Sequence, residues 1–362
     1  MRLIEKVWFF QHPAKWLLVP LLLPLTVIFW LLSALRRKCY QLYFFKSFGI
    51  DIPVVVVGNI GIGGNGKTPV VLYLIKQCLA QNMKVGVISR GYGGQAPHYP
   101  YLLNASSSAA ETGDEPLLIY QRHGIPVVVG GDRVASARLL MQQGCDVIIA
   151  DDGLQHYRLE RDFELIVIDG KRVFGNGLLL PAGPLREGLW RLKTVDALIF
   201  NGATPTDNKV YPVGIPQITM TLMAKMVVNV KTKQELSLTD FYQQFNDNES
   251  QTKCINAIAG IGDPSRFFKT LVDSGFSLEA SVGFKDHQHY NEAQFVSFSD
   301  DIPLLMTEKD AVKCTSFAKN NWWYLPVDAH IENKQITPFL DALFDKVKAD
   351  KLSRIKARFT LS

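Results

Sequence analysis

The sequence has few cysteines, and none of them lie at a metal-binding spacing. Its five cysteines are scattered along 362 residues without a CxxC motif. This argues against a disulfide scaffold, a zinc ribbon and an iron–sulfur site. Charged residues make up only 20% of the chain and hydrophobic residues 47%. That balance excludes a disordered or collagen-like chain and allows a large buried core in two or three domains.

Basic charge is concentrated at the two ends of the chain. Residues 1–50 carry a net charge of +6 and residues 346–362 carry +5, so the body between them carries −6 of the overall +5. An acidic body with basic ends is a poor match for a nucleic-acid binder, and we predict no nucleic-acid partner. It suits a protein whose ends face an anionic membrane surface.

One long apolar run lies near the N-terminus. Residues 17–35 contain no charge and are bounded by Lys15 and by the basic residues 36–38. A helix of that length covers about 28 Å, close to the thickness of a bilayer core. Pro20 and Pro24 permit a kink inside it.

We interpret residues 1–50 as a retained membrane-anchoring segment. A buried core helix and a cleaved signal peptide are the alternatives. The basic flanks on both sides do not fix an orientation, and length alone does not separate spanning from lying in one leaflet. Trp8, Trp16 and Trp30 are expected at the membrane interface.

Between residues 51 and 202, short aliphatic runs alternate with helix-length segments. The runs cover 52–57, 85–89, 126–129, 146–150, 165–168 and 197–200. Continuous apolar strands joined by helices predict an α/β fold with a parallel sheet covered on both faces. We predict helices over 68–81 and 133–143, and a loop over 101–113.

The pattern changes near residue 203. We predict a second, smaller α/β lobe over 203–345 and a basic tail over 346–362, which is either solvated or a second membrane contact. We therefore predict four parts: an N-terminal anchor over 1–50, a P-loop NTPase-like core over 51–202, the second lobe over 203–345 and the tail over 346–362.

The strongest local motif matches GxxxxGK[ST] and lies between a predicted strand and a predicted helix. Its residues are Gly61, Ile62, Gly63, Gly64, Asn65, Gly66, Lys67 and Thr68. Glycines allow backbone N–H groups to surround phosphate oxygens, and the helix N-terminus favours negative charge. Lys67 is expected to neutralise the β- and γ-phosphates of a nucleotide, and the Thr68 hydroxyl to bind Mg²⁺. A glycine-rich turn with a chance lysine is the alternative.

A carboxylate that holds magnesium is expected at the end of a neighbouring strand. Asp151 and Asp152 follow the apolar run 146–150 and are the candidates. The alternative is that Asp152 simply begins a turn with Gly153.

Two common classes of P-loop protein fit poorly. Residues 307–310 read TEKD, which lacks one residue of the NKxD element that GTPases use to recognise guanine. Residues 91–95 read GYGGQ, only a partial likeness to the signature of transporter ATPases. A phosphotransferase or a hydrolytic ATPase remains.

The sequence resembles the tetraacyldisaccharide 4′-kinase (lipid A 4′-kinase) family from the anchor to about residue 330. The resemblance rests on blocks in a fixed order: VVVGNIGIGGNGKTPV at 55–70, SRGYGG at 89–94, GDEPLLI at 113–119, DDGLQHYRLERD at 151–162, GNGLLLPAGPLRE at 175–187, FKDHQHY at 284–290 and TEKDAVK at 307–313. It implies a Gram-negative enzyme that transfers the γ-phosphate of ATP, with Mg²⁺, to the 4′-hydroxyl of a tetraacylated glucosamine disaccharide 1-phosphate. It also implies a location at the inner membrane, with the active site on the cytoplasmic side.

The resemblance further implies that Asp114 is the catalytic base and that His287 is paired with it. An Asp–His pair can accept the proton of a sugar hydroxyl. The alternatives are a helix cap for Asp114 and a capping or core role for His287. His289 competes for the same role, because the family commonly has two adjacent histidines where this chain has His287-Gln288-His289.

Further substrate or phosphate contacts are expected from Arg90, Glu115, Gln155 and His156. Arg133 and Arg186 are weaker candidates. The glycine- and proline-rich segment 175–184 is either a loop that closes over the site or a rigid connector. The alternative function is a membrane-tethered P-loop ATPase or switch that acts on a protein partner.

Overall fold

The computed structural model describes residues 3–202, 211–245 and 254–360. It confirms the predicted mixed α/β fold with a parallel sheet. The strands, in chain order, are β1 Val54–Gly58, β2 Val85–Ser89, β3 Tyr101–Leu102, β4 Val127–Val129, β5 Val147–Asp151, β6 Phe163–Asp169, β7 Ala197–Asn201, β8 Gln217–Met223, β9 Met226–Asn229, β10 Glu235–Ser237, β11 Cys254–Ala259, β12 Ser277–Gly283, β13 Leu304–Thr307, β14 Trp322–Leu325 and β15 Asp328–Ile331.

The helices include the predicted segments after the phosphate loop and after residue 132. In chain order they are α1 Leu3–Phe9, α2 Lys15–Gln41, α3 Lys67–Ala80, α4 Ala109–Thr112, α5 Asp114–His123, α6 Arg133–Gln142, α7 Leu238–Gln244, α8 Pro264–Asp273, α9 Glu308–Cys314 and α10 Asn333–Thr360. Short 3₁₀ helices cover Leu189–Thr194 and Glu292–Phe295.

The chain divides into two compact units. The first unit contains Met1–Arg90, Gly130–Thr221 and Ala329–Ser362, and the second contains Gly91–Val129 and Leu222–Asp328. Both units therefore combine segments that are distant in sequence. The sequential domain boundaries given above remain predictions, and the one at residue 203 falls on residues outside those described.

The first unit is built on a parallel sheet. Its strands run in the order β15-β8-β7-β6-β1-β5-β2, and β1 lies between β5 and β6. Every residue of β1, β2 and β5 is buried, as the continuous apolar runs predict for a sheet covered on both faces. The side chain of Asp132 caps α6 by accepting hydrogen bonds from the backbone of Val134 and Ala135.

The second unit has its own sheet, in the order β10-β9-β14-β13-β11-β12. Parallel pairing joins β12, β11, β13 and β14, whereas β9 pairs antiparallel with β10 and β14. Its core includes the fully buried aromatic rings of Phe241, Phe295, Trp322 and Trp323. In the same unit, β3 pairs antiparallel with β4.

Two segments carry more regular structure than the sequence predicted. The predicted loop 101–113 contains β3 and α4, and α4 begins with a capping box between Ser108 and Glu111 that the sequence analysis overlooked. The basic segment after residue 345 continues α10 as far as residue 360. In this part of α10, Lys351 Nζ lies 3.1 Å from Asp146 Oδ2. Residues 361–362 lie outside the described part of the chain.

Candidate functional site

The phosphate-loop motif lies between β1 and α3, where the sequence places it. Gly66 is the N-cap of α3 and has a positive φ of 91°. A Cβ at this position would lie 2.5 Å from Asn201 Nδ2, whose amide donates a hydrogen bond to Asn65 O. Only glycine meets both requirements without strain. The first turn of α3 begins at Lys67 and offers unpaired backbone N–H groups to an anion.

Lys67 faces the end of β5. Its Nζ donates a hydrogen bond to Asn59 Oδ1 at 3.5 Å and lies 3.6 Å from Asp152 Oδ1. One end of the sheet thus carries three of the residues that were predicted to bind phosphate and metal: Lys67, Asp151 and Asp152. The parallel register pairs Val57 with Asp151, which brings the carboxyl ends of β1 and β5 together.

Asp151 and Asp152 differ in environment. Asp151 ends β5 and is 2% exposed, whereas Asp152 is half-buried with a positive φ of 51°. Burial raises the pKa of Asp152, but the charges of Lys67 and Arg186 outweigh it and hold that pKa below its ordinary value. Arg186 Nη1 donates to both carboxylate oxygens of Asp152, at 3.0 and 3.2 Å.

These residues fit a magnesium–nucleotide site. Ionised carboxylates and a hydroxyl are the oxygen donors that magnesium prefers, and phosphate and water supply its other ligands. Asp152 stays ionised, and Thr68 is the second residue of α3. Within the described residues, no group of three or more His, Cys, Asp and Glu side chains is placed to hold a metal. A metal bound mainly by phosphate does not need such a group.

The remaining predicted contacts in the first unit have varied surroundings. Arg90 is exposed directly after β2, whereas Arg133 is buried beside Asp151 O at 3.4 Å. Gln155 Nε2 donates to Glu187 Oε2 at 2.8 Å, which ties its side chain to another residue of the first unit. Burial, together with nearby arginine charges, lowers the pKa of His156 to about 4, so His156 is neutral at pH 7.

A second group of predicted residues meets in the second unit. His287 Nδ1 lies 3.1 Å from Asp114 Oδ1, which also accepts a hydrogen bond from Glu115 N at 3.0 Å. Asp114 is 5% exposed and begins α5, where the helix dipole favours a negative charge. His289 is exposed.

Two lysine side chains lie beside this pair, and their contact with Asp114 was not predicted from the sequence. Lys309 Nζ lies 3.8 Å from Asp114 Oδ2 and donates to Glu115 Oε1 at 3.0 Å and to Asp286 Oδ1 at 3.1 Å. Lys313 Nζ lies 3.7 Å from Asp114 Oδ2. The TEKDAVK block was the available signal, but its interpretation concerned guanine recognition and family likeness.

Lys313 is held by a buried aspartate of the same helix. It donates to Asp310 Oδ1 at 3.0 Å and lies over the ring of Tyr290, 4.5 Å from its centre. Asp310 is fully buried and also accepts hydrogen bonds from Gly260 N and the Tyr290 hydroxyl, at 2.9 and 2.8 Å. This network fixes the position of the Lys313 ammonium group.

The charges around Asp114 keep it ionised. Burial raises its pKa, but the hydrogen bond with His287 and the charges of Lys309 and Lys313 together lower that pKa below the ordinary value. The same hydrogen bond raises the pKa of His287, against the opposing effects of burial and Lys309. The arrangement stabilises an ionised carboxylate beside a histidine.

The backbone at His287 is strained. Its φ is +58°, in the left-handed region that non-glycine residues seldom adopt. The ring packs edge-on against Tyr92, with centroids 4.9 Å apart. A Cβ at Gly93 would lie 3.9 Å from His287 Cβ. The SRGYGG block therefore lies against His287.

The N-terminal helix α2 is long and apolar enough to cross a membrane. It has 27 residues, and its most apolar window has a mean hydropathy of 2.3, with only 6% of that window buried. A core helix of a soluble protein would be mostly buried. Trp16 and Trp30 are exposed, as expected for interfacial residues. The expectation for Trp8 was wrong, because Trp8 is buried and its indole donates to Pro181 O at 3.1 Å.

Comparisons with known proteins agree over nearly the whole chain. The family model described as tetraacyldisaccharide-1-P 4′-kinase matches residues 18–345. The chain is 59% identical over 331 residues to a tetraacyldisaccharide 4′-kinase of Colwellia psychrerythraea. This alignment covers 91% of this chain and 93% of that protein. The chain is 46% identical over 345 residues to one of Histophilus somni, covering 95% and 99%.

A solved structure is also similar. It is that of LpxK from Aquifex aeolicus, described as being in complex with ATP. It aligns with a TM-score of 0.74 and 27% identity, over 91% of this chain and 99% of that one.

Proposed function

Because the chain belongs to the tetraacyldisaccharide-1-phosphate 4′-kinase family, we propose that it transfers the γ-phosphate of ATP to the 4′-hydroxyl of a tetraacylated glucosamine disaccharide 1-phosphate. The predicted family and the predicted ATP-dependent kinase of lipid A synthesis are confirmed. The observation that carries the proposal for the residues is that the family match, 18–345, includes both a complete phosphate-loop motif and a buried aspartate, Asp114, paired with the half-buried His287.

The first unit is proposed to bind the nucleotide. Residues 61–68 would surround the phosphates with backbone N–H groups, and the Lys67 ammonium would neutralise charge on the β- and γ-phosphates. In the structure Lys67 is paired with Asp152, so ATP would compete for it. Thr68, Asp151 and Asp152 would hold magnesium, which supplies positive charge to the transferring phosphoryl group.

The second unit is proposed to activate the acceptor hydroxyl. Asp114 is ionised and fixed by Glu115 N and His287, so it can accept the proton of the sugar hydroxyl. A base with a lowered pKa is a weak one, but phosphoryl transfer depends more on positioning and charge stabilisation than on base strength. His287 would hold the carboxylate in place and receive or share its proton.

The other predicted contacts are assigned by their surroundings. We assign a phosphate contact to Arg90, because its side chain is exposed at the carboxyl end of β2. Glu115 is bonded to Lys309, which supports a role in holding that lysine. His156 is neutral beside Asp152 and is assigned as a hydrogen-bonding partner.

We propose that the enzyme acts at the cytoplasmic side of the inner membrane, with α2 embedded from that side. The N-terminal segment contacts residues 181–190 of the same unit at three points: Trp8 bonds to Pro181, Thr26 to Ala182, and Arg37 lies 3.6 Å from the centre of the Trp190 ring. Contacts before, within and near the end of α2 favour a helix that lies against the rest of the first unit over one that spans the bilayer alone. A four-chain lipid acceptor would remain in such a membrane.

Acceptor-dependent turnover tests the proposal. Purified enzyme in detergent would be mixed with ATP and Mg²⁺, and ADP release would be followed with and without tetraacyldisaccharide 1-phosphate. A kinase releases ADP only when the acceptor is present. ADP release at the same rate without the acceptor would contradict the proposal and favour the ATPase or switch.

A further inference from the structure

One hydroxyl attaches α2 to the folded part of the first unit. Thr26 is buried, at 7% exposure, on a helix whose apolar window is otherwise exposed or half-buried. Its Oγ1 accepts a hydrogen bond from Ala182 N at 3.0 Å. The single hydroxyl proton is shared between Leu22 O of the same helix, at 3.2 Å, and Leu179 O, at 3.4 Å. The neighbouring residues of α2 are apolar and exposed, whereas Thr26 is polar, buried and hydrogen-bonded to Ala182.

The segment that receives this hydroxyl, residues 175–187, is termed here the connecting loop. It is braced internally: Asn176 Nδ2 donates to Ala182 O at 2.9 Å, and Leu185 N donates to Leu178 O at 3.1 Å. Ala182 and Leu185 are buried. Of the two expectations for this segment, these contacts favour the rigid connector.

The connecting loop is hydrogen-bonded to the phosphate loop through backbone groups. Ile62 N donates to Pro184 O at 2.9 Å, and Arg186 N donates to Ile60 O at 2.6 Å. These bonds form a short antiparallel bridge between Gly61 and Leu185. The Arg186 side chain then holds Asp152, the proposed magnesium carboxylate.

We propose that Thr26 is a positioning residue for the nucleotide site, which it reaches through the connecting loop. In this proposal the bilayer fixes the depth of α2, and the Thr26 hydroxyl transmits that position to Ala182, two residues before Pro184 and four before Arg186. The inference rests on the proposed embedding of α2 and on the proposed nucleotide role of residues 61–68. Removing the hydroxyl leaves the buried Ala182 N–H without its acceptor, so the connecting loop must shift to find another.

The test uses full-length enzyme in phospholipid vesicles and compares Thr26→Val, Thr26→Ser and wild type. Thr26→Val keeps the shape and removes the hydroxyl, and we expect it to raise KM for ATP about fivefold with kcat nearly unchanged. Thr26→Ser keeps the hydroxyl and should restore KM. Ser33→Ala is the matched control, because the Ser33 hydroxyl donates to Trp30 O within α2; KM should not change.

Hydrogen exchange gives a readout that does not depend on turnover. In Thr26→Val the amide of Ile62 should exchange faster than in wild type, while the amides of β7 should not change. An unchanged KM for ATP or unchanged exchange at Ile62 would overturn the inference. So would a Thr26→Val protein that does not fold, because the hydroxyl would then serve the fold as a whole.

A parallel Lys67→Ala measurement separates this inference from the proposed function. If Lys67→Ala abolishes turnover and Thr26→Val leaves KM for ATP unchanged, only the role of Thr26 fails. If Lys67→Ala leaves turnover and KM unchanged, the nucleotide site itself is misplaced.

Discussion

His287 Nδ1 lies 3.1 Å from Asp114 Oδ1, although 173 positions separate the two residues in the chain. Asp114 begins a helix, and His287 occupies a strained loop position that packs on Tyr92. Backbone strain of this kind persists only where surrounding contacts hold it, and it is concentrated at functional sites. The pair is therefore the feature of the second unit on which the proposed chemistry depends most.

Asp114→Asn should lower kcat about 100-fold or more, because an amide cannot accept the hydroxyl proton. ATP binding and the thermal unfolding temperature should stay close to wild type. The measurement is steady-state kcat beside a nucleotide titration. Asp273→Asn, at an exposed surface pair with Lys269, is the matched control. Near-normal kcat in Asp114→Asn would remove Asp114 from the mechanism.

Lys313→Met should move the acidic limb of the kcat–pH profile to higher pH. The Lys313 charge lowers the pKa of Asp114, so its removal raises that pKa and the base becomes protonated at higher pH. Lys313→Arg keeps the charge and should shift the limb less. Lys269→Met, at an exposed position, should not shift it. An unmoved limb in Lys313→Met would mean that Asp114 is not the group titrating there.

Lys67→Ala should lower kcat/KM for ATP about 100-fold or more, because it removes the ammonium group that would neutralise the β- and γ-phosphates. Lys76→Ala, on the exposed face of the same helix, should behave as wild type. Both variants should unfold at the same temperature. A Lys67→Ala enzyme with wild-type kcat/KM would show that the phosphates bind elsewhere.

The stability of the first unit should fall as the pH drops from about 6.5 to about 4. His156 has a folded-state pKa of about 4, below its ordinary value, so in this window the unfolded chain binds a proton that the folded protein does not. Unfolding free energy, measured by denaturant titration at several pH values, should show this loss in wild type. His156→Gln should show less of it, whereas exposed His98→Gln should not differ from wild type. Identical pH dependence in His156→Gln and wild type would contradict a neutral buried His156.

The sequence predicted those features that depend on local pattern. Continuous aliphatic runs identified the buried strands. The GxxxxGK[ST] motif identified the loop between β1 and α3, because the conformation of this loop requires glycine at fixed positions. The placement of Trp8 was wrong because its burial depends on Pro181, far along the chain. The pairing of Lys309 and Lys313 with Asp114 was not predicted for the same reason: it depends on the packing of α5 against α9.

The transfer of labelled phosphate tests the proposed lipid kinase most directly. Wild type, Lys67→Ala and Asp114→Ala would be incubated with γ-labelled ATP, Mg²⁺ and tetraacyldisaccharide 1-phosphate, and the lipid and aqueous fractions counted. We predict label in the lipid for wild type and almost none for either variant. Label recovered only as free phosphate, with or without lipid, would contradict the proposal and identify a nucleotide hydrolase.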